Sequence, residues 1–236
     1  MNHFERLIEE FGDAWIWVAF DPRNKVIVSF VVGKRRQEEA NRLLQTTRAR
    51  SDGHIPLFIS DDLNQYKIAI LNAYGNKEDI PQTVHRGRPK SPKLVPPKDL
   101  MYCRIIKQKK KGRVVRVDTE VVFGDEQRIK EQIANSPVSS HVNTAFVERN
   151  NLTMRERNRR LTRKTMGFSK EKIPLVESLN LYSAIYHFVK PNSSLKSELE
   201  VKEDNRRWLQ KTPMMAAGIT DHIWTEEELL TFRVFD

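Results

Sequence analysis

Residues Asp13–Gly33 read DAWIWVAFDPRNKVIVSFVVG, two runs of Trp, Val, Ile and Phe separated by Asp-Pro-Arg-Asn. Aromatic and β-branched residues favour the pleated backbone, while Asp, Pro and Asn supply turn geometry, so the spacing predicts an antiparallel hairpin. Before it, Met1–Gly12 places apolar residues at 4, 7, 8 and 11, a helical period that ends at Gly12. After it, Lys34–Arg50 returns to helical spacing with Ala40, Leu43 and Leu44 on its apolar side. Leu57–Ser60 is a short apolar strand that stops at Asp61 and Asp62. In an open α/β sheet the carboxyl end of a strand aims its side chains into the ligand crevice, which makes Asp61 the functional candidate. Asp62 is expected to cap the helix Asn64–Tyr74, which Gly75 closes. The order strand, strand, helix, strand, helix predicts an α/β fold.

Composition changes at Pro81. Five prolines between Pro81 and Lys98, interleaved with Arg86, Arg88, Lys90, Lys93 and Lys98, predict an extended basic connection, either lying along a phosphate backbone or simply solvated. Tyr102–Phe123 is a second hairpin, turned through Lys109, Lys110, Lys111 and Gly112. A lysine tip suits a nucleic-acid groove, and lysine is also ordinary protection of an exposed strand edge. Leu175–Val189 is expected to be a buried helix ended by Pro191, with Tyr182, Tyr186, His187 and Phe188 in the core. Asn192–Arg207 is polar enough for a loop or short helix. The tail carries a helix start at Thr212-Pro213 and a capping box of Thr225 with Glu228.

Asn143–Met166, NTAFVERNNLTMRERNRRLTRKTM, places Glu148 ahead of arginines at 149, 155, 157, 159, 160 and 163 and Lys164. It lacks Pro and Gly and is rich in helix formers, so one long basic helix is expected. Helical spacing gathers Glu148, Asn151, Leu152, Arg155 and Arg159 on one side, a carboxylate beside cations that neutralise phosphates. The plain alternative is a solvated helix whose Glu148 pairs with an arginine.

Lysine and arginine number 41 against 31 acids, a net charge of +10 in 236 residues. Counterion release then makes a polyanion such as DNA the leading partner, ahead of an anionic membrane surface. No apolar run approaches the roughly 20 residues of a spanning helix. The single Cys103 excludes an internal disulfide framework and pairs with no histidine at zinc spacing. Glycine-rich phosphate loops, Gly-x-Ser-x-Gly elbows and Cys-x-x-Cys pairs are absent, which argues against a nucleotide cofactor and a nucleophilic side chain.

Five segments together, WIWVAFDPRNKVIVSFVVGKR, ISDDLNQY, VNTAFVERNNLTMRERNRRLTRKTMGFSK, HFVKPNSSL and TPMMAAGITDHIWTEEEL, resemble the bacterial insertion-sequence transposases of the DDE type. FVERNNLTMR is the most specific of them, and the Thr-Pro-x-x-Ala-Ala-Gly tail supports it. The resemblance implies a ribonuclease-H-like α/β core with an inserted β-hairpin and a helical C-terminal part. It divides the chain at 1–80, the first part of the core; 81–124, the basic linker and hairpin insertion; 125–190, the catalytic-helix part; and 191–236, the tail. It also implies metal-dependent DNA cleavage and strand transfer in a bacterial, nucleoid-associated cytoplasmic protein.

Asp61 corresponds to the family's second aspartate and Glu148 to its glutamate, which together bind Mg2+ or Mn2+. Arg149, Arg155, Arg159, Arg160 and Arg163 are the expected DNA contacts. The family's first aspartate, in an Asp-Glu-x-Trp strand ahead of the hairpin, has no counterpart here. The expectation is therefore a transposase impaired by loss of that strand and of the end-selecting DNA module. The alternative is a non-catalytic DNA-binding remnant that interferes with intact transposase. Self-association or association with an intact transposase is expected in either case.

Overall fold

A computed structural model describes residues 14–78, 92–162, 165–203 and 206–233. The chain is α/β. It divides into two compact units, one of Trp15–Ala19 with Ser29–Phe146, the other of Met1–Ala14, Phe20–Val28 and Val147–Asp236. The expected helix at Met1–Gly12 lies outside the described residues.

The predicted hairpin forms as β1 (Trp15–Asp21) and β2 (Val26–Gly33). Its four-residue turn permits only an antiparallel pair. Asp21 shapes that turn by accepting from the Arg23 backbone N–H at 2.8 Å and from Asn24 Nδ2 at 2.9 Å. Lys25 completes it at φ 59°.

In the first unit, α1 (Gln37–Ala49) buries Ala40, Leu43, Leu44 and Thr47 at the three-and-four spacing of one helix face. The next strand and helix are β3 (Leu57–Asp61) and α2 (Asn64–Tyr74), and α2 buries Ala69, Ile70, Ala73 and Tyr74. Trp17, Val31, Leu43, Ile70, Leu100 and Tyr102 close the main core, with Phe58 and Tyr66 packed against it. Each large apolar side chain taken out of water contributes about 1.5–3 kcal/mol. Two polar groups inside are partnered: Trp17 Nε1 donates to Lys34 O, and the buried Ser29 hydroxyl meets Thr47 Oγ1 at 2.8 Å.

β3 runs parallel to β6 (Met101–Lys110), and β6 pairs antiparallel with β7 (Arg113–Phe123). A parallel neighbour needs a long crossover, which α2 and the segment after it supply. Within that crossover β4 (Asn76–Glu78) pairs with β5 (Lys93–Val95), so the Pro-rich stretch ends in a short strand where an unpaired connection was expected. Gly75 ends α2 at φ −68°, outside the left-handed region. Its requirement is space, because a Cβ there would lie 2.4 Å from Leu71 O. α3 (Glu126–Ala134) follows, capped by Asp125, which accepts from the Arg128 backbone N–H.

The second unit departs twice from expectation. The basic stretch is not one helix: α4 (Ala145–Arg157) ends at Asn158 (φ −123°, ψ 102°), and a single 3-10 turn, Arg159–Leu161, follows. Asn158 is buried and exchanges two hydrogen bonds with Ser178, at 2.7 and 3.0 Å, while its Oδ1 accepts from Arg160 N at 3.1 Å. The side chain therefore offers the backbone an alternative to the next helical turn.

Ser178 sits on α5 (Lys172–Ala184), which continues through a π turn, Ile185–Val189. Of the aromatics expected in the core, Tyr186 and His187 are buried and Tyr182 and Phe188 are half-buried. The Ile27 backbone N–H donates to His187 Nε2 at 2.9 Å, and Tyr186 OH donates to Lys25 O at the same distance. The second departure is at Asn192–Arg207, expected as a loop or short helix. It is a hairpin of β8 (Asn192–Glu203) and β9 (Arg206–Lys211). The expected short helices are present as α6 (Pro213–Ala216), capped by Thr212, and α7 (Glu226–Thr231), with both halves of the Thr225–Glu228 capping box formed.

Candidate functional site

Asp61 is the last residue of β3, opposite Ile105 on the parallel strand β6, and it is exposed. The strand places it as the sequence suggests, at a carboxyl end beside the loop that enters α2. Behind it Ser60 Oγ bonds Tyr102 OH at 2.8 Å, and Tyr66 stacks edge-on against Trp17. Burial raises the pKa of both tyrosines, and the nearby Asp61 charge raises each further. Both phenols therefore stay protonated at neutral pH.

Asp62 has a different role from the cap expected of it. Leu63 occupies the cap position of α2 and no side chain bonds there. Asp62 instead pairs with Arg104 Nη1 at 2.8 Å, and Arg104 Nη2 meets Glu120 Oε2 at 2.7 Å. Glu120 first and Asp62 second raise the pKa of the guanidinium. Arg104 thus ties the end of β3 to β6 and β7 and neutralises Asp62. Arg104 was not singled out from the sequence, although a lone cation inside the apolar run YCRII is the signal that marks it.

Glu148 lies in the first turn of α4 and is exposed. A carboxylate there is favoured by the helix dipole, and it stands among the cations that follow on the same helix. Arg149, Arg155 and Arg157 are exposed on α4, while Asn150 and Met154 form its buried side, with Asn150 Nδ2 donating to Met154 Sδ. The break at Asn158 removes Arg159 from the expected face, so the stripe from Glu148 ends at Arg155. Arg159 folds over Gly167, where a Cβ would meet its Nε at 2.7 Å, and Arg160 Nη1 donates to Ser169 Oγ at 3.4 Å. Arg163 lies outside the described residues.

Two-metal phosphoryl transfer needs several carboxylate oxygens around a pair of ions. Among the described residues no group of three or more His, Cys, Asp or Glu side chains is arranged to hold a metal ion. Asp61 belongs to the first unit and Glu148 to the second. The described residues thus give two candidate ligands and no complete set. Among the described residues no helix is long and apolar enough to cross a membrane. No family model matches the sequence, and neither the curated proteins nor the solved structures gave a match.

Proposed function

We propose that the chain is a transposase-type protein acting on DNA, with a ribonuclease-H-like core in which Asp61 and Glu148 are the carboxylates of a magnesium- or manganese-dependent strand-cleavage site. The observation that carries this reading is Asp61 itself. It ends a strand with a parallel neighbour and is exposed. The hairpin, helix, strand and helix before the crossover support the same fold, and the exposed cations of α4 support a polyanionic partner.

Asp61 and Glu148 alone would hold a divalent ion weakly, because a hard cation takes six or more oxygens and few of them here are protein carboxylates. A metal bound there would supply charge stabilisation at phosphorus. The chain's own residues hold the strand by its phosphates. A second reading, DNA binding without cleavage, is favoured by the missing third ligand among the described residues.

Two measurements separate these readings. Gel shifts with duplex DNA are expected to show binding that weakens steeply with salt. Manganese-dependent nicking of supercoiled plasmid is expected from the wild-type chain, lost in Glu148→Gln and Asp61→Asn, with manganese affinity by paramagnetic resonance reduced in both. DNA binding with equal nicking, or none, in all three proteins would leave only the non-catalytic reading. Failure to bind DNA at low salt would sink both.

A further inference from the structure

The end of the β6–β7 ribbon has a surface that phosphate holding by α4 does not use. Every residue from Lys107 to Val117 is exposed, so this part of the ribbon stands clear of the core. Within Lys107–Arg116 there are six cations and no acid.

Strand register sorts these side chains, because directly opposed residues share a face. Lys107 with Val117 and Lys109 with Val114 lie on one face, and Gln108 with Arg116 and Lys110 with Arg113 lie on the other. Asp118, opposite Ile106, is on the second face. Its carboxylate accepts from Arg116 Nε at 2.7 Å and from Gln108 Nε2 at 3.2 Å. One acid therefore holds two long polar side chains next to each other at the edge of a cationic tip. Protection of an exposed strand edge needs charge alone, and gives no reason for a carboxylate that braces a glutamine and an arginine. Bracing matters when donors must meet a fixed array of acceptors, since it removes rotamer freedom before binding.

We propose that this ribbon enters the major groove of duplex DNA. Gln108 and Arg116, positioned by Asp118, read base edges, and Lys109, Lys110, Lys111 and Arg113 hold the flanking phosphates. The proposal rests on the DNA reading above and names the element that would select sequence. The major groove of B-form DNA admits a two-stranded ribbon, whereas that of A-form RNA is too deep and narrow for side chains to read. The register shift between Gln108 and Lys109 marks a bulge, which increases local twist and lets a ribbon follow a groove. Arginine suits guanine and glutamine suits adenine, so the preferred site contains both.

The test uses the full chain and a short randomised duplex DNA pool, with selection read by sequencing and affinities measured from about 50 to 200 mM salt. Arg116→Ala and Gln108→Ala are each expected to lose about tenfold in preference at one purine position, with the salt slope nearly unchanged. Asp118→Asn should relax preference at both positions. Replacing Lys109, Lys110 and Lys111 by Ala should keep the preference and flatten the salt slope by about 0.9 for each phosphate no longer neutralised. These positions are exposed or at the ribbon's margin, so the circular dichroism of every variant should match wild type. DNA binding whose preference and slope are the same in all variants would overturn the proposal, as would wild-type binding with no sequence preference or with equal affinity for duplex RNA. A wild-type chain that binds no DNA would instead bring down the underlying DNA reading.

Discussion

Asn158 decides the geometry of the arginine-rich segment, and its effect is measurable. Its side chain is buried, and removing it strands the Ser178 hydroxyl as well as the Arg160 N–H. An unsatisfied buried polar group costs about 1–3 kcal/mol, so Asn158→Ala should lose that much stability in urea unfolding. Ser178→Ala should lose less, and a double mutant should be clearly less than additive. Nothing in the sequence set this asparagine apart from its polar neighbours, because its partner lies 20 residues on.

His222 is a second case. Asp221 first, then Glu228, raise its pKa through hydrogen bonds to both ring nitrogens, at 2.6 and 2.9 Å. Only the imidazolium donates from both. A raised folded-state pKa means that the stabilisation is complete below the unfolded value of about 6.5 and is lost as pH rises through the higher folded value. An NMR titration should place the His222 midpoint above 6.5, and His222→Gln should remove the pH dependence of α7 fraying over that window. A midpoint at or below 6.5 would contradict the pairing. Cys103 is fully buried, and desolvation first, then Glu126, push its thiol up to about 11. It should resist alkylation at neutral pH until the chain unfolds, since thiolate is the reactive form.

Between elements, Gly124 joins β7 to α3 at φ +93°, where a Cβ would lie 2.9 Å from Leu100 O. Gly124→Ala combines left-handed strain with a backbone clash and should cost about 2 kcal/mol or more, read from the urea midpoint. Little change would mean that the turn can relax. The elements legible in the sequence are those whose signal is local. The hairpin of β1 and β2 is written in its Trp, Val and Ile runs, α1 in the spacing of Ala40, Leu43 and Leu44, and α7 in its capping box. β8 carries a signal of its own, with Leu195, Leu199 and Val201 on alternate positions of a polar run, which its many charged residues obscure. β8 and β9 are held by their ladder, by Lys196 Nζ 4.5 Å over the Trp208 ring, and by an Arg207–Glu198 pair at 2.9 Å. Contacts of this kind between charged and aromatic side chains leave no periodic signal in the sequence. The candidate site was legible to the same extent. The position of Asp61 follows from a strand ending in acid, whereas the pairing of Asp62 depends on Arg104 from a strand about 40 residues later.

Across the molecule, the net charge of +10 ties two measurements together with opposite signs. An excess of cations on one chain repels itself, and salt screens that repulsion, so added salt should raise the unfolding temperature of the free protein. On the proposed reading the same cations would bind a polyanion by releasing its counterions, so added salt should weaken DNA binding. With about six phosphates neutralised the loss is roughly a thousandfold between 50 and 200 mM. The arginines of α4 and the lysines of the β6–β7 tip are exposed, and on the proposed DNA reading they contribute to both effects. Replacing Arg149 and Arg155 by Gln should therefore move the two measurements together. It should lower the salt slope of DNA binding by nearly two and reduce the stabilisation that salt gives to the free fold. A protein whose stability responds to salt while its DNA affinity does not would hold its charge for solubility alone, and would deny α4 its place on the phosphate backbone.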